Sequence, residues 1–168
     1  MTVKITDKLK IEGESSLAGY EKAIDVERLE HCVRMPMVGD KSSNSRTAGK
    51  CVHGEMVCTM RLNRAYPKLV EACAKGNSLG KVEAFMVKMT GGKIGEVMKY
   101  AMKDVYVSSV DLMSTQVADT GAEVSELPLV RVKLNYQSIG ATYNWYDESG
   151  ENKGSVSFDQ LTGTGSNG

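Results

Sequence analysis

Two histidines, four cysteines and scattered carboxylates are the side chains able to do chemistry in this 168-residue chain. A Ser-His-Asp or Cys-His site would have to use His31 or His53, and no G-x-S-x-G elbow presents a nucleophile. Cys51-Val52-His53 with His31-Cys32 can be drawn as a zinc site. The C-x-H spacing is not a usual structural zinc spacing, and on a strand Cys32 projects opposite His31. Cysteine as a small core hydrophobe and histidine as a satisfied polar group is the preferred reading, with no metal or cofactor expected. The glycine-rich stretch Gly76-Asn77-Ser78-Leu79-Gly80-Lys81-Val82 has one residue too few between its glycines for a P-loop. It also lacks Ser or Thr after the lysine. Glu27 and Glu30, or Glu148 and Glu151, form no recognisable acid/base pair, and solvated surface carboxylates are far commoner. Tyr143, Trp145 and Tyr146 suit a binding platform, a core closure or a protein interface. No enzyme is expected.

The elements that must position these residues centre on Glu55–Val110. Met56, Cys58, Met60 and Leu62 alternate with Glu55, Thr59 and Arg61, the period of two of a half-buried strand. Tyr66 to Ala74 reads as the single convincing helix, with Pro67 at its first position, Leu69, Val70 and Cys73 on one side, and Gly76 as its stop. So short a helix is marginal alone and must pack on a sheet.

Elsewhere the chain reads as strands and loops. Strands are expected over Val3–Glu12, Ile24–Met35, Lys81–Thr90, Glu96–Val110, Leu129–Gln137, Ile139–Tyr146 and Gly154–Phe158, with Gly91-Gly92-Lys93 a turn. In the second, Leu29, His31, Val33 and Met35 are expected to face the core and Arg28, Glu30, Cys32 and Arg34 the water. Met37–Lys50 and Leu112–Gly121 read as polar loops, the first too long for an economical hairpin and suited to a surface loop or a docking arm. Seven or more strands, one helix and no βαβ alternation predict a mostly β fold. It is expected to be an antiparallel β-barrel of two packed sheets with a single short α-helix at its side. Residues 1–160 are expected to form one domain and 161–168 a frayed tail.

Charged residues make up 25 % of the chain, and Lys+Arg equals Asp+Glu at 21 each, which gives no bulk electrostatic case for nucleic acid. No apolar run approaches a membrane span. The N-terminus alternates lysines and lacks an apolar core, unlike a signal peptide, so any export is expected to need no cleaved leader.

The same central stretch resembles the haemolysin-coregulated protein family, the tube protein of bacterial type VI secretion. The helix motif Ala65-x-Pro67-x-Leu69-x-x-Ala72-Cys73-x-x-Gly76 and the strand ending Asp104-Val105-x-Val107-Ser108-Ser109-Val110 carry the likeness. Gly13-Glu14-Ser15, Ile24-Asp25-Val26, the Gly91-Gly92-Lys93 turn and the run from Arg46-Thr47-Ala48-Gly49 through His53 add to it. The resemblance covers roughly residues 3–160 in family order. Tyr66 departs from the small cap residue often seen before the helix proline, at an expected cost of about 1 kcal/mol.

The resemblance implies six-membered rings stacked into a hollow tube, enclosed by a sheath, tipped by a spike and joined to a baseplate. Small effectors would ride and be chaperoned in the lumen. It also implies synthesis in the bacterial cytoplasm and secretion by the type VI machinery. Some relatives carry a fused toxin domain; ending at Gly168, this chain is expected to be a plain tube subunit. A closing ring needs two complementary patches per subunit, and stacking needs two more. The candidates for stacking are Asp40, Lys41, Ser43, Asn44 and Arg46 in the first loop and Gln116 and Asp119 in the second. Arg28, Glu30 and Arg34 are the candidates for a wet lumen face, by strand parity. The competing expectation is a monomeric β-barrel that binds a small ligand.

Overall fold

The computed structural model of the chain describes residues 1–6, 9–38, 47–113 and 127–161. Before the helix come β1 (Thr2–Thr6), β2 (Ile24–Asp25), β3 (Arg28–Glu30), β4 (Val33–Arg34), β5 (Met37–Val38), β6 (Thr47–Ala48), β7 (Val52–His53) and β8 (Met56–Arg61). Then follow α1 (Tyr66–Lys75), β9 (Ser78–Thr90), β10 (Lys93–Met113), β11 (Leu129–Asn135), β12 (Ser138–Tyr146) and β13 (Asn152–Leu161). The fold is mostly β, antiparallel throughout, with one helix among the described residues.

One nine-stranded sheet runs β2-β1-β9-β10-β11-β8-β3, with β12 and β13 branching from β10. The branch exists because β10 is 21 residues long and changes partner along its length. Met98–Lys103 pairs with β12, and Tyr106–Met113 pairs with β11. A register shift between Met102 and Val105, with Asp104 at φ 51°, marks the change. Such bulges bend a strand and re-aim it. The β9–β10 turn is Gly91-Gly92, both at positive φ (58° and 74°), the backbone a tight two-residue hairpin needs.

The sheet's two end strands are parts of one stretch of chain. Residues 24–25 pair with β1, residues 28–30 pair with β8, and between them Val26 N–H donates to Met1 O and Glu27 N–H to Thr59 O. The expected two layers are therefore halves of one wrapped sheet, joined at 24–30. Side chains of both halves meet in a single core that includes Met56, Met60, Leu79, Val82, Met102 and Ile139. The alternation in β8 holds: Met56, Cys58 and Met60 are buried and Val57, Thr59 and Arg61 are not.

Helix α1 lays Leu69 and Ala72 on this core. Val70 is exposed, contrary to expectation, because it lies one position round from the buried stripe. Ala65, not Tyr66, is the cap, so Pro67 is the second helical residue. Ala65 offers no side-chain cap. Asn63 substitutes, its Oδ1 accepting from Ala65 N–H at 2.9 Å. Gly76 ends the helix at φ 62°, as its place in the sequence implies.

Two expected strands are shorter than the periodicity suggests. The first stops at Thr6. Further on, residues 13–23 fold back on themselves through Gly13 N–H to Lys22 O and Ser15 N–H to Ala23 O, and close a second small cluster of Tyr20, Ala23 and Phe85. The Tyr20 hydroxyl donates to Glu96; burial and that carboxylate hold the phenol well above its usual range. The stretch 24–35 is not one strand. It changes partner from β1 to β8 and then to β7, and beyond Glu30 it leaves the barrel. Val33 and Met35 are consequently exposed rather than core-facing; Leu29 is half-buried against the core and His31 half-buried.

Candidate assembly surfaces

Residues 33–38 return along 47–53 as a two-stranded arm: β4 pairs with β7 and β5 with β6. The expected loop at 37–50 is thus paired at both described ends. Gly49 makes this possible, because its N–H reaches Pro36 O at 2.8 Å and a Cβ there would stand 2.7 Å from that oxygen. Asp40, Lys41, Ser43, Asn44 and Arg46 lie outside the described residues, as do Gln116 and Asp119.

The root of the arm is fixed to the barrel by side chains that the sequence reading left unassigned. Tyr136, buried between β11 and β12, donates its hydroxyl proton to Gly54 O at 2.8 Å and stands 2.8 Å from His31 Nε2. Burial, with Tyr100 nearby, pushes this phenol up to about 12, so it stays a donor. His53 Nε2 lies 2.9 Å from Gln160 Oε1 on β13. The two imidazoles lie near-parallel with ring centroids 6.0 Å apart, and Tyr100 meets His31 edge-on at 5.8 Å. Both histidines therefore serve as cross-links; His31 and Cys32 lie between β3 and β4 rather than on a strand, so strand parity does not apply to them, and Cys32 is exposed.

Of the three candidate lumen residues, Arg28 and Glu30 stand on β3 and Arg34 on β4 of the arm. Arg28 and Glu30 form an ion pair at 2.5 Å, and Glu30 also reaches Arg131 at 3.8 Å. Glu30, Val57 and Lys133 sit opposite one another across β3, β8 and β11. Arg34 borders a depression that Val57 and Lys133 also line. Arg131 and Lys133 were legible as the outward alternates of β11, whose Val130, Val132 and Leu134 are buried. Exposed ion pairs of this kind contribute little stability. Their effect is to keep a sheet face wet and charged. The other carboxylates raised from the sequence are likewise engaged: Glu27 with Arg61 at 2.5 Å and Glu151 with Lys153 at 2.5 Å.

A third surface is apolar. Ile139 and Ala141 of β12 are buried, but the same face continues past the core as exposed Tyr143 and Trp145. Directly opposite on β13 stand Val156, beside Tyr143, and Phe158, beside Ala141. Val156 is 65 % exposed and Phe158 47 %. Tyr146 is not part of this strip. It lies on the reverse face with its hydroxyl donating to Glu96 O at 3.2 Å. Among the described residues β13 pairs with β12 alone, so its outer edge carries free backbone donors and acceptors.

Comparison with known proteins places these surfaces in context. The family described as "Type VI secretion system effector, Hcp" matches residues 2–143. A solved structure of a type six secretion system protein superposes with a TM-score of 0.78 at 20 % identity, covering 92 % of this chain and 90 % of that one. A double mutant of the Hcp1 protein from an enteroaggregative E. coli gives 0.72 at 21 %, covering 96 % and 97 %. A type VI secretion system effector from Yersinia pestis gives 0.70 at 19 %, covering 95 % and 98 %. At these identities the superpositions bear on the fold. No curated protein matches the sequence.

Proposed function

The chain belongs to the Hcp family of type VI secretion system proteins, and from that premise we propose that it is a structural subunit of the secretion tube. Six copies close into a ring, and rings stack into a hollow tube that is secreted into target cells. The observation that carries this reading is the apolar strip of Tyr143, Trp145, Val156 and Phe158 beside the free edge of β13. Exposed aromatic and aliphatic side chains next to an unpaired strand edge favour self-association over a monomer. Zero formal net charge lets like subunits approach with little repulsion.

In this reading the polar face of Arg28, Glu30 and Arg34, widened by Arg131 and Lys133, lines the lumen and meets small effector cargo. The loops holding Asp40, Lys41, Ser43, Asn44, Arg46, Gln116 and Asp119 stack ring on ring. The sheath, spike and baseplate are the further partners, and the type VI machinery exports the subunit from the bacterial cytoplasm. Residues 1–160 act as one domain, whose role is structural rather than enzymatic. The alternative, a monomeric barrel holding a small ligand, finds little support in the core. The recess among Val3, Ile24, Cys58, Met60, Leu69 and Val132 has a volume of about 20 Å³, space for a single water.

Native mass spectrometry backed by negative-stain images tests the ring. A six-subunit species with ring-shaped particles is expected; a clean monomer at micromolar concentration overturns the reading. Cysteine introduced at position 30 tests the lumen. Assembled tubes are expected to shield it, and ready labelling by bulky reagents from outside overturns that assignment.

A further inference from the structure

The arm's root carries a feature that tube building does not call for. The chain's only two histidines meet there, each bonded to a different part of the barrel. The Tyr136 hydroxyl spends its single proton on Gly54 O, so toward His31 it can only accept, and His31 Nε2–H is the donor. Gln160 Oε1 likewise accepts from His53 Nε2–H. Each bond uses an Nε2–H, and in a neutral imidazole Nδ1 then carries no proton. His53 Nδ1 is buried and has no partner.

We propose that His31 and His53 form an acid-sensitive latch: neutral, they hold the arm's root on the barrel, and protonation releases it. A second proton on His53 would fall on the buried, unpartnered Nδ1, and an unpaired buried donor is costly. Two imidazolium rings 6.0 Å apart would also repel. The groups facing the pair do not offset this. Tyr100 and Tyr136 are phenols and Gln160 is neutral. Around the cleft beside His53 stand Lys50, Cys51, Glu55, Asp104 and Tyr106, and among the described residues neither carboxylate forms an ion pair with either ring. Burial, and then the neighbouring His53, lower the His31 imidazole below its usual value of 6.5. The released arm therefore binds protons more readily than the docked one. Docking is complete above about pH 6.5 and weakens as the pH falls below it.

Hydrogen exchange of the full chain, corrected for intrinsic rates at pH 7.5 and pH 5, reads the latch directly. Peptides covering the Gly54 N–H to Cys32 O bond and the Val33–His53 pair are expected to lose protection at least tenfold at pH 5. Those of β8 and α1 keep theirs. The double variant H31Q/H53Q keeps a donor near each Nε2 but cannot take the charge, so its root protection is expected to be equal at both pH values. The single variant H53Q, which lacks Nδ1, is expected to lose less protection in acid than the wild type. Protection in the wild type that is independent of pH overturns the latch, and so does an acid loss that survives in both variants. A consequence for the tube rests on the ring reading: stacks formed at pH 7.5 come apart at pH 5. Absence of rings at pH 7.5 counts against the ring alone, whereas the exchange measurement judges the latch without them.

Discussion

Trp145 and Gly154 face each other across the β12–β13 pair, and the indole fills the space that a side chain on Gly154 would need: a Cβ there would stand 2.4 Å from Trp145 Cη2. Gly154 also holds φ 157°, which L-residues rarely adopt. The contact sets how the only tryptophan lies on the apolar strip. Gly154→Ala is expected to push the indole off the sheet and cost about 1 kcal/mol, the low end for overpacking. Intrinsic fluorescence checks it, since Trp145 is the sole emitter of its kind. A red shift of emission is expected, and an unchanged spectrum with unchanged stability would mean the ring does not rest on the glycine.

Leu69 is the largest helix side chain buried in the core, at 2 % exposure, with Ala72 beside it. Leu69→Ala is expected to destabilise the chain by about 2–5 kcal/mol, the range for emptying a buried leucine site. Urea unfolding followed by circular dichroism measures it. A loss below about 1 kcal/mol would mean that the helix is dispensable to the barrel.

The four thiols should fall into two classes. Cys32 is exposed and Cys51 and Cys73 are partly so, whereas Cys58 is buried and burial pushes its thiol up to about 12. A disulfide reagent at pH 8 is expected to consume three thiols promptly and the fourth only on unfolding, because the thiolate is the reactive form. Four fast thiols would place Cys58 outside the core.

Tyr136→Phe removes one hydroxyl and two bonds, leaving Gly54 O and His31 Nε2–H without partners. Unsatisfied buried groups cost about 1–3 kcal/mol. Amide exchange at the arm's root is expected to rise roughly tenfold or more at pH 7.5. Global stability should change less than the local opening, because the arm lies outside the core. Unaltered exchange would show that the root is held by something other than this tyrosine.

Much of this was legible because burial writes a period of two into a strand. Met56, Cys58 and Met60 alternate cleanly since β8 is covered on one side only. Gly91-Gly92 and Gly76 were legible because their positions require positive φ. The stretch 24–35 misled because apolar alternation does not say which partner a strand has, or whether it has one. Val33 and Met35 keep the pattern of a core strand while standing exposed on an arm. Tyr136 was missed for a different reason. A single tyrosine at a turn has no local pattern, and its role depends on residues about a hundred positions away in the chain. Parity placed Arg28, Glu30 and Arg34 together as if on one strand, whereas Arg34 belongs to a different strand pair from the other two.

The union of both sheet ends in residues 24–30 bears on when the protein can fold during synthesis. The first ninety residues can already pair β1 with β2 and β9, and β3 with β8. These are two separate sets of pairings, linked by the chain at 26–27 and again through α1, which joins β8 to β9. The circuit is completed by β11, which pairs with β8 on one side and β10 on the other. Nothing can take its place until residue 135 has left the ribosome. The nascent chain therefore waits, with apolar faces uncovered, for most of its translation. Pairings this distant put the final closure in the range of milliseconds to seconds, so a stalled or truncated product is the form most in need of a chaperone.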